Sequence, residues 1–177
     1  QTAVADDELY KENVAGKFYY LRYPVQDPGP GQPTHVLVAT TRPETMLGDT
    51  AVAVHTDPAR AMREAIAVQR GKVASATAKE KPAAQGELER LEARERDLLP
   101  TLLQIAALAK AGARIALPLT NRTIPIIQDD WADPTLGTGC VKVTPAHDPN
   151  DYLVWQRHPE IGAVNVLNPD GTINERG

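Results

Sequence analysis

A long stretch with helical periodicity interrupts a chain whose other segments favour strands. Over residues 57–111 the apolar residues recur at steps of three and four, with almost no strand signal. Lys81-Pro82 and Gln85-Gly86 break the periodicity between two runs, and Gly112 follows the second run. We predict an antiparallel helical hairpin at residues 58–112, inserted in a single domain that covers residues 1–177. Pro100 should kink or split the second helix.

Short β-branched runs lie on both sides of this hairpin. They occupy residues 16–23, 35–41, 49–55, 114–119, 124–127, 140–144 and 163–167, with turn signals between them such as NPDG at 168–171. This pattern predicts a small barrel or sandwich. The hairpin itself is interpreted as a solvated arm packed on itself, or alternatively as a docking arm for RNA or another domain. On the first interpretation, deleting residues 59–113 should leave the remaining domain folded.

Charge and cysteine content narrow the classes of partner. The net charge of −4 means that a general basic surface cannot hold a nucleic acid, so local patches or the rest of a larger protein would have to. The single cysteine, Cys140, excludes an internal disulfide and a cysteine-rich zinc site, and it agrees with a reducing compartment. No apolar run approaches the roughly 18 residues of a membrane span. Because the chain begins at Gln1 without a methionine, we interpret it as a piece of a longer protein.

The first polar constellation is VKVTPAHDPNDY at residues 141–152. In a strand, Lys142 and Thr144 project from the same face, and a turn at Pro145 lets Asp148 and Asp151 return to that end. Two carboxylates and an ammonium suit a ligand that carries a positive charge and polar oxygens. The alternative is a strand–turn–helix joint in which the aspartates cap a helix beginning near Tyr152 and the lysine is solvated.

The second constellation is TTRPETMLGD at residues 40–49. Thr40, Thr41 and Arg42 follow an apolar strand, and Arg42-Pro43-Glu44 should be extended or a turn. The guanidinium can fork onto a phosphate or stack on a base. The alternative is an exposed strand end at which Glu44 pairs with Arg42. We predict that both constellations meet in one pocket, and that this pocket hydrolyses an ester.

Other reactive side chains contribute less to the prediction. His147 is a candidate general base, although a lone histidine beside proline and aspartate is more often structural. Without a second histidine nearby, no metal site is expected. Cys140 lies in a strand pattern and is assigned to the core, and Ser75 lies far from any His–Asp set, so the sequence does not support a serine triad.

Four ordered segments resemble the editing domain of class I aminoacyl-tRNA synthetases. They are ATTRPETMLGDTAVAVH at 39–55, LPLTNRTIPII at 117–127, GTGCVKVTPAHDPNDY at 137–152 and NVLNPDGTIN at 165–174. Among the isoleucyl, leucyl and valyl branches, TTRPET with KVTPAHD is most similar to the valyl branch. The resemblance covers residues 1–57 and 114–177, whereas residues 59–113 depart from the shorter link expected of the family.

This resemblance implies a mainly β fold, a closed β-barrel with an inserted α-helical hairpin. It implies post-transfer editing, in which the ester of mischarged threonyl-tRNA(Val) is hydrolysed and valyl-tRNA(Val) is spared, since an apolar pocket alone rejects an added hydroxyl only about a hundredfold. The implied partners are the 3′ end of tRNA(Val) carrying threonine and the remainder of the synthetase chain, with no membrane. No cofactor is expected in this domain, and the expected location is the cytoplasm. The alternative is a module that binds the tRNA 3′ end but is inactive when excised.

The resemblance also implies roles for individual residues. Asp148 would hold the α-ammonium of the aminoacyl group, and Asp151 would accept a hydrogen bond from the threonine hydroxyl. Asp49 belongs to the family signature with a role that could be structural, while Val141 would pack behind the pocket and Leu136 would wall it. The candidate substrate-binding residues are Thr40, Arg42, Glu44, Asp49, Leu136, Val141, Thr144, His147 and Asp151.

The candidate catalytic residues are Thr41, Lys142 and Asp148. Lys142, with Thr40, Thr41 and Arg42, would hold the terminal adenosine and the ester end of the substrate. Because an aminoacyl ester is already activated, the protein needs only to orient a water and exclude wrong substrates. The water could be held by Thr41, Asp148 or a ribose hydroxyl, and no nucleophile is nominated.

Overall fold

The computed structural model describes residues 16–176, so residues 1–15 and 177 of the predicted domain lie outside the described part. This part of the chain contains three strands, then three α-helices, then three more strands and a fourth α-helix. The strands are β1 (Tyr19–Pro24), β2 (His35–Thr40), β3 (Ala51–Val54), β4 (Arg114–Ala116), β5 (Thr123–Gln128) and β6 (Cys140–Val143). The helices are α1 (Pro58–Ser75), α2 (Lys81–Asp97), α3 (Leu99–Lys110) and α4 (Pro149–Arg157).

The strands form two separate sheets. Strands β1 and β2 pair antiparallel with each other, and the other four strands form a mixed sheet in the order β4-β5-β3-β6. Strands β3 and β5 are parallel, while β6 is antiparallel to β3 and β4 is antiparallel to β5. A parallel pair needs a crossover connection, which α1, α2 and α3 supply between β3 and β5.

The prediction of a mainly β fold with a closed barrel is wrong. Helices account for 40% and strands for 20% of the structure, and neither sheet within residues 16–176 closes on itself. The strands are only three to six residues long, so helices and loops must cover much of the apolar surface. The strand predicted at residues 163–167 is also absent, because Val166 bonds through its amide to His147 and its neighbour Leu167 forms only an isolated bridge with Ile173.

The helical insert divides between two hydrophobic clusters. The seam between α1 and α2 is made by Met62, Ile66, Leu88 and Leu91, as the periodicity predicted. The second helical run is split, and Pro100 lies in the first turn of α3, where its missing N–H is tolerated.

Helix α3 belongs to the main core. Leu102 and Ile105 pack in one cluster with residues of β1 to β6, including Tyr23, Val36 and Val52. The interpretation of the insert as an arm packed only on itself is therefore wrong for α3, and deletion of residues 59–113 would remove part of the main core. No helix within residues 16–176 is both long enough and apolar enough to cross a membrane.

The packing of α3 predicts different effects for two adjacent leucines. Leu102 is fully buried, whereas Leu103 is 46% exposed. Replacing Leu102 by Ala should lower the free energy of unfolding by about 2–5 kcal/mol, because it leaves a cavity in the core. The matched change Leu103→Ala should alter it by no more than about 0.5 kcal/mol. Urea unfolding of both variants measures the difference, and equal losses would contradict the assignment of α3 to the core.

Candidate functional site

The two polar constellations meet at the pairing of β3 with β6. In the antiparallel register Ala51 lies opposite Val143 and Val52 lies opposite Lys142. The segment before β3 is a 3₁₀ helix at Pro43–Gly48, where the sequence predicted only an extended or turn conformation. Pro43 lies in its first turn, where the fixed φ of proline suits a helical start. Asp49 follows the last residue of this helix and lies next to Lys142 of β6.

A buried ion pair joins the two constellations. Lys142 Nζ donates to Asp49 Oδ1 at 3.0 Å, and the two residues are 7% and 0% exposed. The same ammonium donates to Thr45 Oγ1 at 2.8 Å and to Thr144 Oγ1. An ammonium has three N–H donors, so all three are used within the protein. The predicted face shared by Lys142 and Thr144 is thus observed, but the alternative of a solvated lysine is wrong.

The Asp49 carboxylate is held by hydrogen bonds on both oxygens. Tyr23 Oη donates to Oδ2 at 2.6 Å, and Thr144 Oγ1 donates to Oδ1 at 2.7 Å. Burial raises the pKa of Asp49, while the charge of Lys142 and the hydrogen bonds oppose that rise. Burial and the neighbouring Asp49 also raise the pKa of Tyr23 above its ordinary value, so the phenol stays protonated and can donate.

Helix α4 presents two carboxylates at its N-terminus. Asp148 caps the helix by accepting from the amides of Asn150 at 2.8 Å and Asp151 at 3.3 Å, so the predicted capping is observed. Asp151 Oδ2 accepts from the amide of Thr144 at 2.8 Å. Burial is the main cause that raises the pKa of Asp151 to about 6, with smaller contributions from Asp148 and Asp49 against the hydrogen bond and Lys142. Asp151 is therefore a buried carboxylate whose pKa lies well above that of an ordinary aspartate.

Arg42 and His147 form the rim. Arg42 Nη1 donates to the carbonyl of His147 at 2.9 Å and lies 3.7 Å from Asp148 Oδ2, while its Nε lies 3.6 Å from Glu44. His147 Nε2 accepts from the amide of Val166 at 3.0 Å. Burial lowers the pKa of His147, and the charges of Arg42 and Lys142 add to this effect. Because Nε2 is already an acceptor for a backbone amide, the structural alternative for His147 is favoured over the general base.

These groups surround a cleft of about 150 Å³. Nine of the twelve predicted site residues line it, and Glu44, Asp49 and Leu136 do not. Asp49 lies behind the cleft, Glu44 is on the exposed side of Arg42, and the Leu136 side chain is 62% exposed. The complete lining is Ala39, Thr40, Thr41, Arg42, Thr45, Trp131, Val141, Lys142, Thr144, His147, Asp148 and Asp151.

A larger groove of about 780 Å³ lies between β2, the end of α2, the start of α3 and the Gly137-Thr138 turn. None of the predicted site residues lines this groove. It brings together no group of carboxylates with an ammonium, so the smaller cleft is the better candidate for chemistry.

Sequence reasoning missed three contributors to the site. Thr45, which lies in the second constellation but was not among the predicted site residues, bonds the Lys142 ammonium, and Tyr23, predicted only as part of a strand, bonds Asp49. Trp131, 43% exposed, lines the cleft from the loop after β5. Its amide donates to Asp129 Oδ1 at 2.8 Å, and Asp129 is also held by Arg157 of α4. For Trp131, the only sequence signal of a role in the site was its position just after a strand.

The remaining candidates for nucleophile or metal ligand are occupied elsewhere. Burial raises the pKa of Cys140 to about 12, so the thiol is neutral and belongs to the core. Ser75 bonds the carbonyl of Gly71 within α1. Across residues 16–176, no group of three or more His, Cys, Asp or Glu side chains is placed to hold a metal ion.

Comparisons with known proteins agree with one another. A family model described as the editing domain of leucyl-tRNA synthetase matches residues 21–176. A valine–tRNA ligase of Rhodopirellula baltica is 51% identical over 177 residues, which is all of this chain and 17% of that relative. The valine–tRNA ligases of Thermosynechococcus vestitus and Lacticaseibacillus casei are 43% and 38% identical over 175 residues, covering 99% of this chain and 14% of each relative.

Two facts follow from these alignments. The chain spans 14% to 17% of the length of these curated relatives. The matched span of this chain includes residues 59–113 in the family model and in the 51% identical relative.

The buried ion pair predicts a large loss of stability when one partner is removed. Replacing Lys142 by Met leaves Asp49 buried without its counter-ion, and we expect the free energy of unfolding to fall by about 3–5 kcal/mol. The exposed Lys110 at the end of α3 provides the matched control Lys110→Met, for which little change is expected. Denaturant unfolding at pH 7 compares the two variants, and similar small losses would show that Asp49 and Lys142 are not coupled.

Proposed function

The chain belongs to the family of aminoacyl-tRNA synthetase editing domains, and from this premise we propose that it hydrolyses the ester of threonyl-tRNA(Val) and spares valyl-tRNA(Val). The observation that carries the proposal is Asp151, a buried carboxylate with spare hydrogen-bonding capacity in a cleft of about 150 Å³. A cleft of this size suits a small amino-acid side chain, and we propose that the nucleoside lies at the rim.

Asp151 supports discrimination by a hydroxyl group. Within residues 16–176 its only hydrogen-bond donor from outside its own helix is the Thr144 amide, which bonds Oδ2. Oδ1 is then available to accept from the hydroxyl of threonine. Valine offers a methyl group instead, which would displace water from the carboxylate and return no hydrogen bond. Leaving a buried polar group unpaired costs about 1–3 kcal/mol, and more when the group is charged.

Asp148 and Arg42 are proposed to receive the charged parts of the substrate. Asp148 Oδ1 is used in capping α4, whereas Oδ2 lies 3.7 Å from Arg42 and can accept from an α-ammonium. The guanidinium of Arg42 is half exposed at the rim, where a phosphate or the terminal adenosine would pass. We propose that Thr40, the last residue of β2, and Thr41, which follows it beside Arg42, hold the ester end.

Lys142 is proposed to act on the substrate only indirectly. Its three donors are used by Asp49, Thr45 and Thr144, so no N–H remains for an ester or an adenosine. We therefore propose a positioning role, in which it fixes β6 and Thr144. The water would be oriented by Thr41, Asp148 or a ribose hydroxyl, and because the aminoacyl ester is activated, no cofactor is required.

The proposed partners are the 3′ end of tRNA(Val) and the remainder of the longer synthetase chain. The net charge of −4 and the small cleft leave little basic surface for the body of a tRNA. Since this chain corresponds to less than a fifth of each relative, most tRNA contacts would come from outside it. This gives specific support to the alternative of a module that binds the 3′ end but is inactive when excised.

The isolated chain provides the direct test of hydrolysis. Mixed with threonyl-tRNA(Val) at pH 7, it should release threonine faster than buffer alone. It should release valine from valyl-tRNA(Val) at least about a hundredfold more slowly, because the site is built to pair a hydroxyl. Release of free amino acid is measured with labelled substrates. Binding of threonyl-tRNA(Val) without release would support the binding module instead, and equal release of both amino acids would contradict selectivity.

The raised pKa of Asp151 leads us to expect that the rate of hydrolysis depends on pH. Because its pKa is about 6, kcat/KM for threonyl-tRNA(Val) should fall as the pH decreases through about 6. The variant Asp151→Asn should have kcat/KM about tenfold to a hundredfold lower at pH 7 and should lack this acidic limb. The exposed turn residue Asp170, changed to Asn, is the control and should retain the wild-type profile.

Loss of activity at acidic pH can be separated from unfolding. The folded pKa of Asp151 lies above the ordinary value of 3.8, so the folded state binds this proton more tightly than the unfolded state. The contribution of Asp151 to stability therefore increases as the pH falls from 7 towards 4, while activity should decrease. An unchanged acidic limb in Asp151→Asn would assign the titration to another group.

A further inference from the structure

We propose that the helical insert positions the wall of the editing cleft, with Arg94 of α2 as the positioning residue for the turn at residues 134–139. This turn leads directly into β6, which carries Val141 and Lys142. We call the hydrogen bonds from Arg94 to this turn the clamp. They are present in the structure, whereas their effect on hydrolysis rests on the proposed function. The clamp gives a role to a segment that contributes no side chain to the cleft lining.

Arg94 bonds three carbonyl groups of the turn. Its Nε and Nη2 donate to the carbonyl of Pro134 at 3.2 and 2.9 Å. Nη2 also donates to Leu136 at 3.1 Å, and Nη1 donates to Gly137 at 3.0 Å. One helical turn earlier, Arg90 Nη1 donates to the intervening carbonyl of Thr135 at 3.0 Å. Four consecutive carbonyls are thus held by two side chains of the insert.

Within residues 16–176 the guanidinium of Arg94 donates only to these carbonyls. Within the described part of the chain, no carboxylate lies within ion-pairing distance of it, in contrast to Arg70, which pairs with Glu92, and Arg96, which pairs with Asp97. Arg94 is half buried, and this burial lowers the pKa of its guanidinium. A charged group that is partly removed from water must be compensated by hydrogen bonds, and here the turn provides them.

The turn has local hydrogen bonds at its two ends, where Asp133 Oδ1 accepts from the amide and hydroxyl of Thr135 at 2.7 Å each and Thr138 Oγ1 donates to the carbonyl of Cys140 at 3.2 Å. Its internal backbone hydrogen bonds run from Leu136 to Asp133 at 3.2 Å and from Gly139 to Leu136 at 2.9 Å. Gly137 and Gly139 have φ values of +47° and +75°, which side chains other than glycine rarely adopt. Two glycines in this region give the unfolded turn high conformational entropy, so contacts from outside must hold it in one conformation.

The turn is in contact with both the cleft and the core. A Cβ placed on Gly137 would lie 3.6 Å from the Cβ of Ala39, which lines the cleft. A Cβ placed on Gly139 would lie 2.6 Å from Leu102 Cδ1, so α3 closes directly on the turn from the other side. Helices α2 and α3 therefore hold the turn between them, and the position of the turn sets the position of the cleft wall and the start of β6.

The test compares Arg94→Ala with Arg70→Ala in the full chain. Arg70→Ala removes an exposed ion pair inside the insert and leaves the turn untouched, so it is the matched control. In Arg94→Ala, amide hydrogen exchange at Leu136 and Gly139 should become about tenfold faster or more, while exchange in β3 stays at the wild-type rate. The KM for threonyl-tRNA(Val) should rise several-fold in the same variant and remain unchanged in the control.

Arg94→Lys keeps the charge and the aliphatic stem but cannot fork onto several carbonyls, so it should show an intermediate exchange rate at Gly139. If Arg94→Ala does not fold, the exchange rate of Arg94→Lys tests the clamp instead. Equal exchange at Leu136 and Gly139 in wild type, Arg94→Lys and Arg70→Ala would overturn the clamp. Faster exchange with unchanged kinetics would overturn its role in editing. A wild-type chain that hydrolyses nothing would count against the proposed function, and the exchange data would still decide the clamp.

Discussion

The buried ion pair between Asp49 and Lys142 is the contact on which the cleft depends. The two residues are 93 positions apart in sequence, and the pair closes one side of the β3–β6 pairing. A buried pair contributes little net stability, because desolvation offsets most of the attraction. Its main effect is specificity, since a slip of one residue in β6 would turn Lys142 to the opposite face and leave Asp49 unpaired. We infer that the pair fixes the register of β6, and with it the point at which the following turn and α4 begin.

Thr144 carries this constraint from the core to the cleft. Its side chain bonds both Asp49 and Lys142, and its amide donates to Asp151 on the first turn of α4. The hydroxyl and amide of Thr144 thus connect the Lys142 ammonium, whose three N–H donors all have partners, to the Asp151 carboxylate, which accepts through one oxygen. The same helix is fastened at its other end, where Arg157 bonds the carboxylate of Asp129 with two N–H groups at 2.9 and 2.8 Å. With both ends held, the carboxylates of α4 face the cleft in one orientation.

Local sequence patterns correctly predicted local structure. They failed where the structure depends on contacts between residues far apart in the sequence. The period of two placed Lys142 and Thr144 on one face, and the spacing after Pro145 predicted the cap by Asp148. No local rule links Asp49 to Lys142, because their contact depends on which strands are neighbours. The same limit produced the wrong barrel: periodicity shows that α3 has an apolar face but not that this face covers the sheet. Residues 163–167 alternate like a strand, yet within residues 16–176 they form no ladder with a strand, only the isolated bridge between Leu167 and Ile173.

The distinction between supporting and ligand-binding charges follows from counting hydrogen bonds. Lys142 was grouped with Arg42 and Asp151 by sequence, since all three are polar residues in motifs that meet. In the structure the Lys142 ammonium has no donor left, whereas Asp151 accepts through one oxygen and Arg42 is half exposed. A group whose capacity is filled inside the protein can only gain a ligand by losing a partner, which is costly at a buried site. Hydrogen-bonding capacity left unfilled in a cleft is therefore the better guide to function, and by that measure the proposed chemistry would be concentrated at the N-terminus of α4.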